Sequence, residues 1–127
     1  MSSFPRLALA AALLLATTLS HALTVTPYTP AALAAAQKAG EPLVLHFHAS
    51  WCPTCRAQDK AFEALKADPA LDVTLMEVDY DQEKAFEKQM KVTAQSTLVV
   101  LHGATERSRS TGETDPARLK ALLQSAI

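Results

Sequence analysis

Apolar and polar positions change period several times along the chain, and each change marks an element. Thr24 to Pro27 alternates β-branched residues over a short stretch, which predicts an edge strand. "PAALAAAQKA", Pro30 to Ala39, is alanine-rich, with proline at its start and Gly40 just beyond; these are helix start and stop signals. "PLVLHFHAS", Pro42 to Ser50, is apolar at most positions, as suits a central strand covered on both faces. Pro53 sits where a first-turn proline belongs, and the helical pattern behind it runs to about Ala67. Phe62 and Leu65 supply the stripe of that helix, and Asp68-Pro69 breaks it. Leu71 to Asp81 reads as a further strand with Val73, Leu75 and Val78 in the core, and Gln82 to Lys91 as a charged helix carrying Phe86 and Met90 at i, i+4. Thr97 to Gly103 is a strong strand, paired across a turn at Gly103 with the polar, alternating stretch Ala104 to Gly112. Asp115 caps a last helix, Pro116 opens it, and Leu119, Leu122, Leu123 and Ile127 form its apolar face. The order β-α-β-α-β-α-β-β-α implies an α/β domain whose sheet is mixed, parallel in the early βαβ units and antiparallel in the final hairpin.

The first 22 residues follow another pattern. Arg6 precedes an apolar run from Leu7 to Leu19, and Ser20-His21-Ala22 places small residues around a cleavage position. That is the layout of a secretory signal peptide, and the apolar run falls short of the ~20 residues that span a bilayer as a helix. Residues 1–22 are therefore expected to be a signal peptide, with a retained anchor as the alternative, and residues 23–127 a single domain. The expected location is periplasmic or otherwise exported. About 105 residues suffice for one modest core. Without Arg6 the balance is 11 basic against 13 acidic side chains. Such a balance offers no case for nucleic acid or an anionic membrane as partner.

The chain holds two cysteines, Cys52 and Cys55, beside the single tryptophan, Trp51. As a structural staple they would close a four-residue loop, which constrains an unfolded chain very little. As ligands they would join His46 and His48 in an H-x-H-x3-C-x2-C cluster suited to Zn²⁺ or Cu⁺, although a strand followed by a helix aims these side chains apart. As a redox pair they are well placed. Cys52 falls at a helix N-terminus, where unpaired N–H groups and the helix dipole favour an anion, so a lowered pKa and an exposed attacking thiolate are expected. Cys55 lies one turn in, shielded and able to reach back.

The segments "VLHFHASWCPTCRAQ", "VTLMEVDYDQ" and "STLVVLHGATERSRSTG" resemble the thioredoxin family in order and spacing, over essentially all of the chain beyond residue 22. The resemblance implies a thioredoxin fold, with a mixed sheet of four or five strands flanked by helices. It implies Cys52 as nucleophile, Cys55 as resolving thiol and Trp51 as the tryptophan flanking the site. It also implies no cofactor beyond the Cys52–Cys55 redox-active disulfide. The implied partners are protein dithiols and disulfides and a redox partner protein, with a membrane-bound one an option; a monomer is expected.

Three departures from the family pattern bear on the chemistry. His46 replaces a buried aspartate, and Leu75 its companion lysine. His46 is either a base near neutral pH or a neutral space-filler. His48, on the same strand face, is expected to pack as an aromatic would, and His102 to be solvated. Ser96 replaces a cis-proline. The Gln95–Ser96 bond is then either trans or held cis against a cost of ~2.5–4 kcal/mol. Ser96 adds a hydroxyl that can meet the Cys52 thiolate or a bound peptide, and the Gln95–Ser96 backbone is expected to pair with extended substrate. Finally, Pro53-Thr54 between the cysteines is not the Gly-Pro of typical reducing members, which leaves the redox poise open. The resulting expectation is an exported thiol–disulfide oxidoreductase, reductase-like rather than strongly oxidising. A thioredoxin-fold binding or chaperone module and a metal carrier are the alternatives.

Overall fold

The computed structural model describes residues 22–127, so the segment read as a signal peptide lies outside the described residues except for Ala22. The elements are β1 (Thr24–Pro27), α1 (Pro30–Lys38), β2 (Pro42–His48), α2 (Pro53–Leu65), β3 (Thr74–Asp79), α3 (Lys84–Met90), β4 (Thr97–His102), β5 (Thr105–Thr111) and α4 (Pro116–Gln124). They form one five-stranded sheet in the order β1-β3-β2-β4-β5. β1 and β2 run parallel to β3, while β4 runs antiparallel to β2 and β5 to β4. The mixed α/β architecture and the edge position of β1 are as expected.

Period-two alternation along β2 feeds two cores. Leu43, Leu45 and Phe47 face one side with Leu33 and Ala36 of α1, Phe86 of α3 and Val99. Val44 faces the other side with Phe62 of α2, Leu119 and Leu123 of α4, Leu75 and Leu98. A central strand apolar at most positions is the physical consequence of helices on both faces. The helices start where their caps dictate: Thr29 and Asp115 side chains accept the N–H of Ala32 and Ala117, and Pro30 and Pro116 follow directly.

The boundaries differ from the sequence expectation for local reasons. α2 stops at Leu65 because Ala67 and Asp68 donate to carbonyls three residues back, tightening the last turn. Leu71 and Val73 are buried but precede β3, which starts at Thr74. α3 starts at Lys84 because the Asp79 carboxylate accepts the N–H groups of Asp81 and Gln82 and builds a turn there. Ile127, expected on the apolar face of α4, is 55% exposed beyond the helix end. His102, expected in solvent, is half-buried and donates through Nδ1 to the Ala126 carbonyl at 2.7 Å, tying the end of β4 to the C-terminal turn.

Candidate active site

The β2–α2 junction builds the site. Cys52 is the N-cap of α2 in extended conformation, Pro53 takes the first helical position, and the Cys52 sulfur accepts the Cys55 N–H at 3.0 Å. A sulfur thus fills the place usually taken by a serine or aspartate oxygen, among the unpaired N–H groups that open a helix. Both cysteines are unbridged thiols here. Cys55 is one turn in and wholly buried, as expected. Cys52 is not exposed as expected: only 1% of it reaches solvent, because Ala49, Cys55 and Tyr80 close around it. Burial, the Cys52 hydrogen bond and the charge of Cys52 push the Cys55 thiol up to about 11, while the backbone at Ala49 and Ser96 pulls the other way.

The rim is built from both sides. Trp51 is 54% exposed, and its indole N–H donates to Asp81 Oδ2 at 2.9 Å. Pro53 is exposed and Thr54 half-buried on the first turn of α2. Opposite them, Ser96 is buried and Gln95 half-buried. No peptide bond among the described residues is cis, so Gln95–Ser96 is trans, and Ser96 instead takes the left-handed conformation, φ 60°. A non-glycine residue there costs roughly 1–2 kcal/mol. The backbone holds it: Ser96 N–H donates to the Phe47 carbonyl at 2.8 Å, and its carbonyl accepts from Gly112 N–H and from Gln58 Nε2, each at 3.1 Å.

His46 is wholly buried under α2. Its Nε2 meets Gln58 Oε1 at 2.8 Å, and its ring stands edge-on to Phe62 and His48. Gln58 Nε2 donates to the Ser96 and Glu113 carbonyls, so the Gln58 oxygen faces the ring and His46 Nε2 carries the proton. Burial drives His46 down to about 4, against smaller opposing effects of Gln58 and Asp59. A ring this weakly basic is poorly matched to a thiol near 11, and neither sulfur is among its hydrogen-bond partners, so the geometry favours the neutral reading over the base. Leu75, at the companion position, is wholly buried in the apolar core. His48 does more than pack: its Nε2 is 2.7 Å from Asp59 Oδ2. His46, His48, Cys52 and Cys55 do not converge as a ligand set. The sulfurs cluster with Ala49, whereas the imidazoles turn to Gln58 and Asp59 of α2.

Residues 26–125 match the thioredoxin family model over most of the chain. The chain belongs to the thioredoxin family. A thioredoxin H-type of Chlamydomonas reinhardtii is 31% identical over 93 residues, 73% of this chain and 81% of that one. Thioredoxin H2-2 of Oryza sativa is 34% identical over 70 residues, 55% of this chain, and the match spans about half of that relative, 52%. Among solved structures, Trxlp from Edwardsiella tarda superposes with a TM-score of 0.75 at 39% identity, covering 79% of this chain and 98% of that one. Thioredoxin O2 from Arabidopsis thaliana in the oxidised state gives 0.65 at 27% identity, covering 81% and 92%. Two residues that sequence reading missed support the site. Asp81 anchors Trp51, and Gln58 joins α2 to the Ser96 loop. Gln58 had a faint signal, a polar residue on the buried stripe Cys55–Gln58–Phe62; Asp81, thirty residues from Trp51, had none.

Proposed function

We propose that this thioredoxin-family protein is an exported, reductase-like thiol–disulfide oxidoreductase acting on protein disulfides through Cys52 and Cys55. The observation that carries this reading is the Cys52 sulfur at the α2 N-cap, hydrogen-bonded by the Cys55 amide, with a second thiol one turn behind it. The leader-like pattern of residues 1–22 supports export. No cofactor beyond the two sulfurs is required, because a dithiol carries both electrons.

The steps follow from the geometry. The Cys52 thiolate attacks one sulfur of a substrate disulfide; that S–S bond breaks, a mixed disulfide forms, and the other substrate sulfur leaves as a thiolate and takes up a proton. Two of the influences that raise Cys55, the bond to the Cys52 sulfur and its charge, weaken once that sulfur is covalently engaged. The backbone at Ala49 and Ser96 still stabilises the anion. Cys55 therefore releases its proton more readily at this stage than in the free dithiol. It attacks Cys52, closes the Cys52–Cys55 disulfide and frees the second substrate thiol. The substrate is reduced by two electrons and the protein oxidised by two; a redox partner protein restores the dithiol. Gln95 offers substrate a backbone N–H and carbonyl that make no hydrogen bond within the described residues. This suits strand-like pairing with an extended peptide.

Cys55→Ser should trap mixed disulfides on Cys52, and Cys52→Ser should abolish both trapping and turnover of a disulfide substrate. Equilibration of the pair in graded glutathione buffers gives its potential. A value near ~ −270 mV supports the reductase reading, and one near the ~ −120 mV of strong exported oxidants replaces it with disulfide donation.

A further inference from the structure

On the β2–α2 flank, away from the two sulfurs, four side chains with metal-binding atoms converge. His48 Nε2 lies 2.7 Å from Asp59 Oδ2, His48 Nδ1 lies 3.6 Å from Glu77 Oε1, and His46 Nδ1 lies 3.8 Å from Asp59 Oδ1. One ligand atom each from His48, Asp59 and Glu77 can be chosen within 4.8 Å of one another. An exposed carboxylate pair around a histidine is common and carries nothing alone. The second observation is His46. It is wholly buried, and its Nδ1 has no hydrogen-bond partner. Because Gln58 takes the proton side of the ring at Nε2, Nδ1 presents a bare lone pair toward the Asp59 carboxylate. Two acceptors thus face each other with no proton between them, an arrangement that a cation relieves.

We propose that this corner is a divalent transition-metal site of the zinc class, with His48, Asp59 and Glu77 as its ligands and the His46 Nδ1 lone pair, held toward Asp59, as the buried donor that favours a cation there. Ligands on tetrahedral zinc at about 2.0–2.2 Å stand roughly 3.4 Å apart; the closest approaches of His48 to Asp59 and to Glu77, 2.7 and 3.6 Å, lie on either side of that value. The direction of that lone pair is already fixed: His46 donates its Nε2–H to Gln58, itself pinned by two carbonyls. Binding displaces the proton that His48 Nε2 shares with Asp59. The Asp59 and Glu77 side chains are 42% and 43% exposed, so an ion reaches the site from solvent and a water completes the coordination. Such a metal cross-links α2 to β2 one turn beyond Cys55. It uses no sulfur and does not depend on the redox reading.

The test uses untagged full-length protein carrying Cys52→Ser and Cys55→Ser, titrated with Zn²⁺ alone against a chromogenic chelator. One zinc per chain is expected. Asp59→Asn and His48→Ala, each added to that background, should weaken it at least ~10-fold. Thermal unfolding should rise with zinc in the parent and not in the Asp59→Asn protein. With Co²⁺, nitrogen and oxygen ligand-field bands should appear without sulfur-to-cobalt charge transfer. Absence of stoichiometric binding in the cysteine-free protein overturns the proposal, as does zinc affinity that Asp59→Asn leaves unchanged. Asp59 is a half-exposed surface residue, and far-ultraviolet circular dichroism checks that its variant is folded.

Discussion

Ser96 stands where the family resemblance implies a cis-proline, and its own backbone is trans and left-handed. The left-handed φ of 60° is compatible with serine only at a cost, and the N–H bond to Phe47 locks it. Ser96→Pro, which restores the family residue, cannot adopt that φ and removes the donor that satisfies the buried Phe47 carbonyl. It should destabilise the protein by about 1–3 kcal/mol, read from denaturant midpoints at constant m-value. The spacing of Cys52 and Cys55 was legible at this scale because both are read within four residues. The protonation of His46 was not, because it depends on burial under α2 and on Gln58, twelve residues away.

At the scale of elements, α2 carries the site, and Gln58 is the strut that connects it to its surroundings. One amide group reaches β2 through His46, the β4 approach through Ser96 and the β5–α4 loop through Glu113. Gln58→Leu leaves the His46 Nε2–H buried and unpaired and should cost about 1–3 kcal/mol. Gln58→Glu should be worse, since a carboxylate cannot donate to the two carbonyls and is buried with its charge. Thermal unfolding of the two variants gives the order; equal stabilities would show that the strut carries little. The elements themselves were readable because each start has its own chemical mark, Pro30, Pro53 and Pro116 for α1, α2 and α4. Among the helices, the start of α3, which has no side-chain cap, was the one misplaced, by two residues.

For the whole molecule, the proton on Cys55 links folding to pH. In the folded dithiol it is held to about 11, whereas an ordinary cysteine releases it near 9.0. Above the unfolded value the folded form binds more protons, so stability is intact below it and falls as pH rises toward the folded value. Reduced protein should therefore lose denaturant resistance across that alkaline window. Cys55→Ser and the oxidised form, which have no Cys55 proton to lose, should show a flatter profile. Matching slopes in reduced wild type and Cys55→Ser would remove this linkage.

Sequence alone determined the α/β class, the element order, the strand–CxxC–helix junction and the family likeness, because periodicity, caps and motif spacing are local properties of the chain. Tertiary structure decided what surrounds them. It closed Ala49 and Tyr80 over Cys52, turned His46 and His48 toward Gln58 and Asp59, and held Ser96 trans and left-handed. Each of these rests on partners brought together by the packing of α2 on β2 and by the loop before β4. Burial and hydrogen bonding between residues far apart in the chain leave no periodic trace in it.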